Sequence, residues 1–133
     1  MKKSWEQIHQ ELSEPFSHED VEWKIQTVSK DKSRGLAVAY VTARAIQNRL
    51  DAVVGAQNWK PVFRQWHTVT DRDGNPIPSQ LCTIQIFDDE RHEWMEKTDG
   101  AENTDYEPVK GGLSDAMKRA ASQWGICLLY TSP

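Results

Sequence analysis

The sequence predicts an α+β fold in which a three-stranded antiparallel meander packs against a long C-terminal helix, with further helices at the N-terminus. Apolar residues at helical spacing come first, three strand-like segments joined by short polar turns follow, and an amphipathic segment ends the pattern. This order is typical of an α+β domain rather than of alternating strands and helices. The 133 residues suffice for one domain with a modest core, which we expect to span residues 1–126.

Two helices are predicted in the N-terminal half. Ser4 starts a capping-box pattern, and an apolar repeat runs at helical spacing until Pro15, which cannot continue a helix. Thr42 is placed to cap the second helix, and Gly55 is placed to end it. The apolar stripes of the two helices consist of Trp5, Ile8 and Leu12, and of Ile46, Leu50 and Val53 or Val54.

The segment between these helices is predicted to be partly extended. Residues 17–20 favour one helical turn, and in the extended piece that follows Trp23 and Ile25 share a side that we expect to face the core. Residues 29–35 are polar and charged without apolar periodicity, which indicates a loop. A short strand is predicted at residues 36–41.

Three strand candidates form the predicted meander. They cover residues 59–70, 81–87 and 92–97. Turn-forming residues at 71–76 and 88–91 separate them. In the second candidate Cys82, Ile84 and Ile86 share one face, which is the pattern of a strand with one buried side.

The stretch 109–125 is predicted to be the helix around which the rest of the chain is organised. Its apolar face carries Leu113, Met117, Ala120 and Trp124, and its other side carries Lys118, Arg119 and Ser122. Gly111 and Gly112 form a glycine-rich start, where free N–H groups and the helix dipole favour an anion. Gly125 suits the positive φ of a helix end. On these residues alone, a solvated basic pair is more common than a phosphate site.

The charge balance lowers the expectation of nucleic-acid binding without excluding it. The formal net charge is −4, whereas nucleic-acid-binding domains are usually basic. Residues 71–107 hold eleven acidic and three basic side chains, a charge of −8, whereas residues 40–64 hold four basic side chains (Arg44, Arg49, Lys60 and Arg64) and one acidic, a charge of +3. A local basic surface is therefore possible on an acidic chain.

Two alternative functions remain open at this stage. The acidic loop predicted at residues 99–108 (Asp99, Glu102, Asp105 and Glu107) could hold a metal for a nuclease, although a solvated loop is the more common outcome. A protein-interaction domain without DNA activity is the other. No Walker loop, nucleophile elbow or paired-cysteine site is present, so no cofactor, ATPase or enzymatic chemistry is expected.

The compartment and the chain end are inferred from the remaining features. Cys82 and Cys127 have no metal-like spacing, and neither a secretory signal nor a membrane-length apolar run occurs, so a reducing cytoplasm is expected. Residues 127–133 (CLLYTSP) look like a translated sequencing adapter, and we expect the natural chain to continue after about Ile126. A genuine short C-terminal strand is the alternative.

The motifs near the C-terminus resemble a known family. TDGAE at 98–102, followed by VKGGLSDAMKRAA at 109–121 and Trp124-Gly125, is similar to the Rad52 family of double-strand-break repair and single-strand-annealing proteins, and to its bacterial and phage DdrA and Sak type. The likeness covers roughly residues 14–126. It implies ATP-independent single-stranded DNA binding and annealing by an oligomeric ring with a basic groove, and partnership with a single-strand-binding protein.

The resemblance also implies DNA-contacting residues. Lys118 and Arg119 match the family's basic pair on the last helix. Arg44 is the nearest match to a basic residue on the earlier helix, displaced by one position from the eukaryotic pattern. Arg49 and Lys110 are added to this set from their charge and placement.

Overall fold

The computed structural model of the chain describes residues 2–102 and 108–127, and within these ranges the α+β prediction is confirmed. The helices are α1 (Trp5–Leu12), α2 (Ala43–Val54) and α3 (Pro108–Gln123). The strands are β1 (Val21–Val28), β2 (Gly35–Val41), β3 (Trp59–Thr70), β4 (Pro76–Asp88) and β5 (Glu93–Glu102). Short 3₁₀ turns occupy His18–Asp20 and Ala56–Asn58. Of the predicted tail, residues 128–133 lie outside the described residues.

The predicted starts of α1 and α2 are confirmed by their capping contacts, whereas α1 ends at Leu12, before the predicted stop at Pro15. The Gln7 N–H donates to Ser4 Oγ at 3.1 Å, and the Ala45 N–H donates to Thr42 Oγ1 at 3.1 Å. Each cap satisfies a backbone donor that has no intrahelical acceptor, which stabilises a helix by roughly 1 kcal/mol. Gly55 follows α2 with φ 93°, a conformation that costs glycine little.

The meander has the order β3-β4-β5 with antiparallel pairing throughout. Its first strand has the predicted bounds, but the other two are longer than predicted. The prediction of an acidic loop at residues 99–108 is wrong for its first part, because Asp99 pairs with Cys82 and Glu102 with Ser79. Strand β4 extends far enough to offer backbone partners there, and these hydrogen bonds override a polar local sequence. Residues 103–107 of that predicted loop lie outside the described residues.

Strands β1 and β2 form a separate antiparallel hairpin, in which Val21 pairs with Val41 near α2 and Val28 pairs with Gly35 at the far end. Val41 is fully buried, but Trp23 is 62% exposed, so the prediction that Trp23 lies in the core is wrong. The side chain of Ile25, the other residue predicted on this side, lies outside what the structure describes. The polar loop predicted at its tip is confirmed.

The core lies between α3, α2, α1 and one face of the meander. The predicted face of β4 is fully buried and meets the small side chains of α3, which allow the helix to approach the sheet closely. The core side chains without measurable exposure are Leu12, Ile46, Leu50, Cys82, Ile84, Ile86, Ala116, Ala120 and Ala121. Trp5 and Trp124 stack at the edge of this core with ring centroids 5.7 Å apart. None of the helices in the described ranges is long and apolar enough to span a membrane.

A substitution pair on opposite faces of the meander tests this arrangement. We expect Ile84→Ala to lower the free energy of unfolding by about 2–5 kcal/mol, because it leaves a cavity under α3. Val62→Ala, on the exposed face of the neighbouring strand, should cost less than about 1 kcal/mol. Urea denaturation measures both, and equal losses would contradict the assignment of the buried face.

Candidate nucleic-acid interface

The side of α3 that turns away from the core carries the predicted basic pair. Met117 and Ala120, on either side of the pair in sequence, are buried against the sheet. Lys118 is half-buried, and the Arg119 side chain is 61% exposed. Helical spacing thus separates the cations from the packed face, as the sequence predicted, and leaves the Arg119 guanidinium open to solvent.

Strand β5 supplies a carboxylate next to Arg119. Arg119 Nε lies 3.6 Å from Asp99 Oδ1, while Gln123 Nε2 donates to Asp99 Oδ2 at 3.0 Å and the Gly100 N–H donates to Oδ1 at 2.8 Å. The hydrogen bond from Gln123, together with those from Gly100 and Arg119 and the charge of Arg119, lowers the pKa of Asp99 below its usual value. An ion pair this exposed is worth at most about 1 kcal/mol. A phosphate group can therefore compete with Asp99 for Arg119.

Lys97 is a further cation at this edge that sequence reasoning missed. Its Nζ donates to the Gln123 carbonyl at 3.2 Å and lies 5.1 Å from the centroid of the Trp124 ring. A cation at the C-terminal end of a helix satisfies a free carbonyl and complements the helix dipole. Lys97 pairs with the buried Ile84, which places it on the side of β5 that faces the helix. Only the strand pairing reveals this position.

Arg44 lies in the first turn of α2 and is exposed. Within the described ranges, no hydrogen bond or salt bridge holds its guanidinium. One turn further along α2, Gln47 Nε2 contacts Met117 Sδ at 3.7 Å, so the helices that carry Arg44 and Lys118 pack together near these residues. The structure thus brings two of the predicted basic elements side by side.

Arg49 occupies a different environment on the same helix. Its guanidinium donates to the backbone carbonyls of Glu11, Leu12, Glu14 and Pro15 at 2.7–3.3 Å. The guanidinium carbon also lies 4.1 Å from the centroid of the Phe16 ring. These carbonyls belong to the end of α1 and the chain that follows it, where backbone acceptors lack intrahelical partners. The placement favours stabilisation of α1 over contact with a ligand.

The start of α3 differs from the prediction of a glycine-rich opening. The helix begins at Pro108, whose fixed φ suits a first helical position, so Gly111 and Gly112 lie inside the helix. Gly112 is buried, which indicates close packing rather than exposure to an anion. The backbone of Lys110 belongs to the first turn of α3, and its side chain lies outside what the structure describes.

The nuclease alternative finds no assembled site in the residues described. Asp99 points to Gln123 and Arg119, and Asp105 and Glu107 lie outside the described residues. Across residues 2–102 and 108–127, no group of three or more His, Cys, Asp or Glu side chains is arranged to hold a metal ion. Burial raises the pKa of the Cys82 thiol to about 12, so that thiol is not a nucleophile at neutral pH.

The fold and the exposed cations define a small α+β domain with a basic helix face suited to a polyanion. The family model of the Rad52/22 family double-strand break repair protein matches residues 4–133. The chain belongs to this family.

Two curated relatives are similar to most of the chain. Both are named single-stranded DNA-binding protein DdrA, one from Deinococcus deserti at 32% identity and one from Deinococcus radiodurans at 31%, each over 119 residues. The aligned region is 90% of this chain but 54% and 52% of the two relatives. The chain therefore spans about half the length of these proteins.

The two arginines of α2 offer a test of their different placements. Arg49→Lys should lower the free energy of unfolding by about 2 kcal/mol, since an ammonium cannot reach all the carbonyls that the guanidinium serves. Arg44→Lys, on the exposed part of the same helix, should change it by less than about 0.5 kcal/mol. The measurement is urea unfolding followed by circular dichroism. Unchanged stability of the Arg49 variant, combined with weaker DNA binding, would instead assign Arg49 to the ligand.

Proposed function

We propose that this chain binds single-stranded DNA and anneals complementary strands without ATP in recombinational DNA repair. The observation that carries the proposal is the exposed basic pair on α3, held in place by a helix face packed on the meander. Membership of the Rad52/22 family and the names of the DdrA relatives support the choice of single-stranded DNA as the polyanion.

The proposed contacts are Lys118 and Arg119 on α3, Arg44 on α2, and Lys110 in the first turn of α3. Arg49 contributes indirectly by fixing α1 against α2. Lysine and arginine neutralise phosphates, which gives affinity independent of base sequence and steeply dependent on salt. Bases left exposed along such a surface remain able to pair with an incoming strand.

A net charge of −4 is compatible with this function because the cations act locally. Each protomer offers few phosphate contacts, so we propose that copies assemble into a ring that repeats the basic surface along one strand. Linked sites bind the strand with an avidity that exceeds the affinity of each site. We further propose a single-strand-binding protein as a partner, because it occupies the same substrate.

The activity needs no cofactor and no catalytic residue under this proposal, and it takes place in the cytoplasm. Binding energy alone brings the strands together. We propose residues 1–126 as the annealing domain.

The first test is annealing of two complementary labelled oligonucleotides at low salt without nucleotide. We expect the protein to accelerate annealing and expect the acceleration to disappear as salt is raised. Intact oligonucleotides at the end of the reaction are part of the expected result, and their magnesium-dependent loss would instead support a nuclease. A folded protein that leaves the annealing rate unchanged would overturn the proposal and favour a protein-interaction domain.

Charge reversal tests the site itself. Lys118→Glu with Arg119→Glu should weaken single-stranded DNA binding at least about 100-fold at low salt, because two attractive phosphate contacts become repulsive. Arg72→Glu with Arg91→Glu changes the net charge equally at two exposed positions on the turns of the meander and should keep most of the affinity. Fluorescence anisotropy measures both variants. Equal affinities for the two double variants would show that α3 is not the site.

A further inference from the structure

The β1–β2 hairpin extends away from the core. Its base is anchored where Val21 pairs with Val41, and the Thr42 N–H donates to the Asp20 carbonyl at 3.2 Å. Eight residues of β1 span about 26 Å at the usual rise of a strand. At the far end Val28 is 56% exposed, and every residue from 30 to 34 is exposed. The hairpin is therefore an arm with an anchored base and a solvated tip.

The tip of this arm concentrates positive charge. Lys30, Lys32 and Arg34 surround a single acidic residue, Asp31, which gives the five residues 30–34 a charge of +2. The chain as a whole carries −4. A basic tip on an acidic protein sets up a local attraction for a polyanion that the net charge does not reveal.

The tip is also ordered by its own hydrogen bonds. Asp31 Oδ1 accepts from Ser29 Oγ at 2.6 Å, from Ser33 Oγ at 2.7 Å and from the Ser33 N–H at 3.0 Å. The Ser29 N–H donates to the Arg34 carbonyl at 2.8 Å and closes the loop. These donors stabilise the carboxylate and lower the pKa of Asp31 to about 2. An ordered loop loses less conformational entropy when it binds a ligand.

The base of the arm connects it to the surface proposed for DNA. Strand β2 ends at Val41, and α2 begins at Ala43 after the single residue Thr42. Arg44 therefore lies three residues beyond the end of the strand. Trp23, 62% exposed, lies on β1 between this base and the tip. Cations combined with an exposed aromatic ring are the usual equipment of surfaces that bind single-stranded nucleic acid.

We propose that the β1–β2 hairpin is a second contact arm for single-stranded nucleic acid, in which Lys30, Lys32 and Arg34 bind phosphates and Trp23 stacks on a base. The inference rests on the proposed function and extends its site from α2 and α3 along the hairpin. An acidic segment of another protein copy would also attract the tip, but it gives no role to the exposed tryptophan nearer the base of the same arm. Nucleic acid accounts for both features.

The tip is tested by a triple variant that removes its three positive charges, with a matched control. Lys30→Gln, Lys32→Gln and Arg34→Gln together should weaken binding of a long oligodeoxynucleotide about 10-fold or more at low salt. The slope of log affinity against log salt should become less steep by about 2, since each lost phosphate contact on a single strand removes about 0.7. Lys2→Gln, Arg72→Gln and Arg91→Gln remove the same charge from exposed positions elsewhere and should leave the slope close to that of the unmodified chain.

The stacking residue is tested in the same assay. Trp23→Leu should weaken binding about 5- to 100-fold, and Trp23→Phe should recover part of the loss, because a base stacks on any aromatic ring. Trp66→Leu, at an exposed position on the meander, is the control and should bind normally.

The outcomes separate the arm from the proposed function. If the unmodified chain does not bind single-stranded DNA, both proposals fail. If it binds, and the Lys118 and Arg119 reversal abolishes binding while the tip triple matches its control, the arm alone is overturned. If the tip triple or Trp23→Leu changes the sedimentation coefficient while each protomer binds DNA normally, the hairpin contacts another copy instead, which also overturns the proposal.

Discussion

The close contact between α3 and the inner face of the meander is the constraint on which the rest of this structure depends. Small side chains on the helix and apolar side chains on β4 exclude solvent together, and this allows a short distance between the two elements. Polar contacts then fix the direction of the helix. Trp124 Nε1 donates to the Ile84 carbonyl at 3.0 Å, and β5 holds the end of the helix through Lys97 and Asp99. With one face and one end fixed, the opposite face can only point outward.

This arrangement explains how an acidic chain can present a basic surface. Most of the carboxylates belong to the segment from Asp71 to Glu107, whereas the proposed contacts lie on α2 and α3. Asp99 approaches the basic pair, and its contact with Arg119 is exposed enough to be exchanged for a phosphate. The distribution of charge over the fold therefore matters more for ligand binding than its sum.

Residues of the same type have different roles because the fold gives them different neighbours. Arg44 and Arg49 lie on one helix, yet one is exposed and the other caps the carbonyls that end α1. Trp124 packs against Trp5 and donates a hydrogen bond to the sheet, whereas Trp23 extends along an arm with most of its surface in water. Composition alone would have treated each pair as equivalent.

The sequence by itself determined the features that depend on neighbouring residues along the chain. These are the caps of α1 and α2, the buried side of β4 and the two faces of α3, because capping chemistry and periodicity are local properties. Only the tertiary structure decided that β5 continues through Asp99, that Trp23 is exposed and that Arg49 serves α1. In each case the tertiary environment decides: β4 provides the backbone hydrogen bonds, the fold leaves most of the Trp23 side chain in water, and α1 ends beside α2. A local pattern identifies which side chains share a face, but the free energy of burial or pairing comes from whatever the fold places against that face.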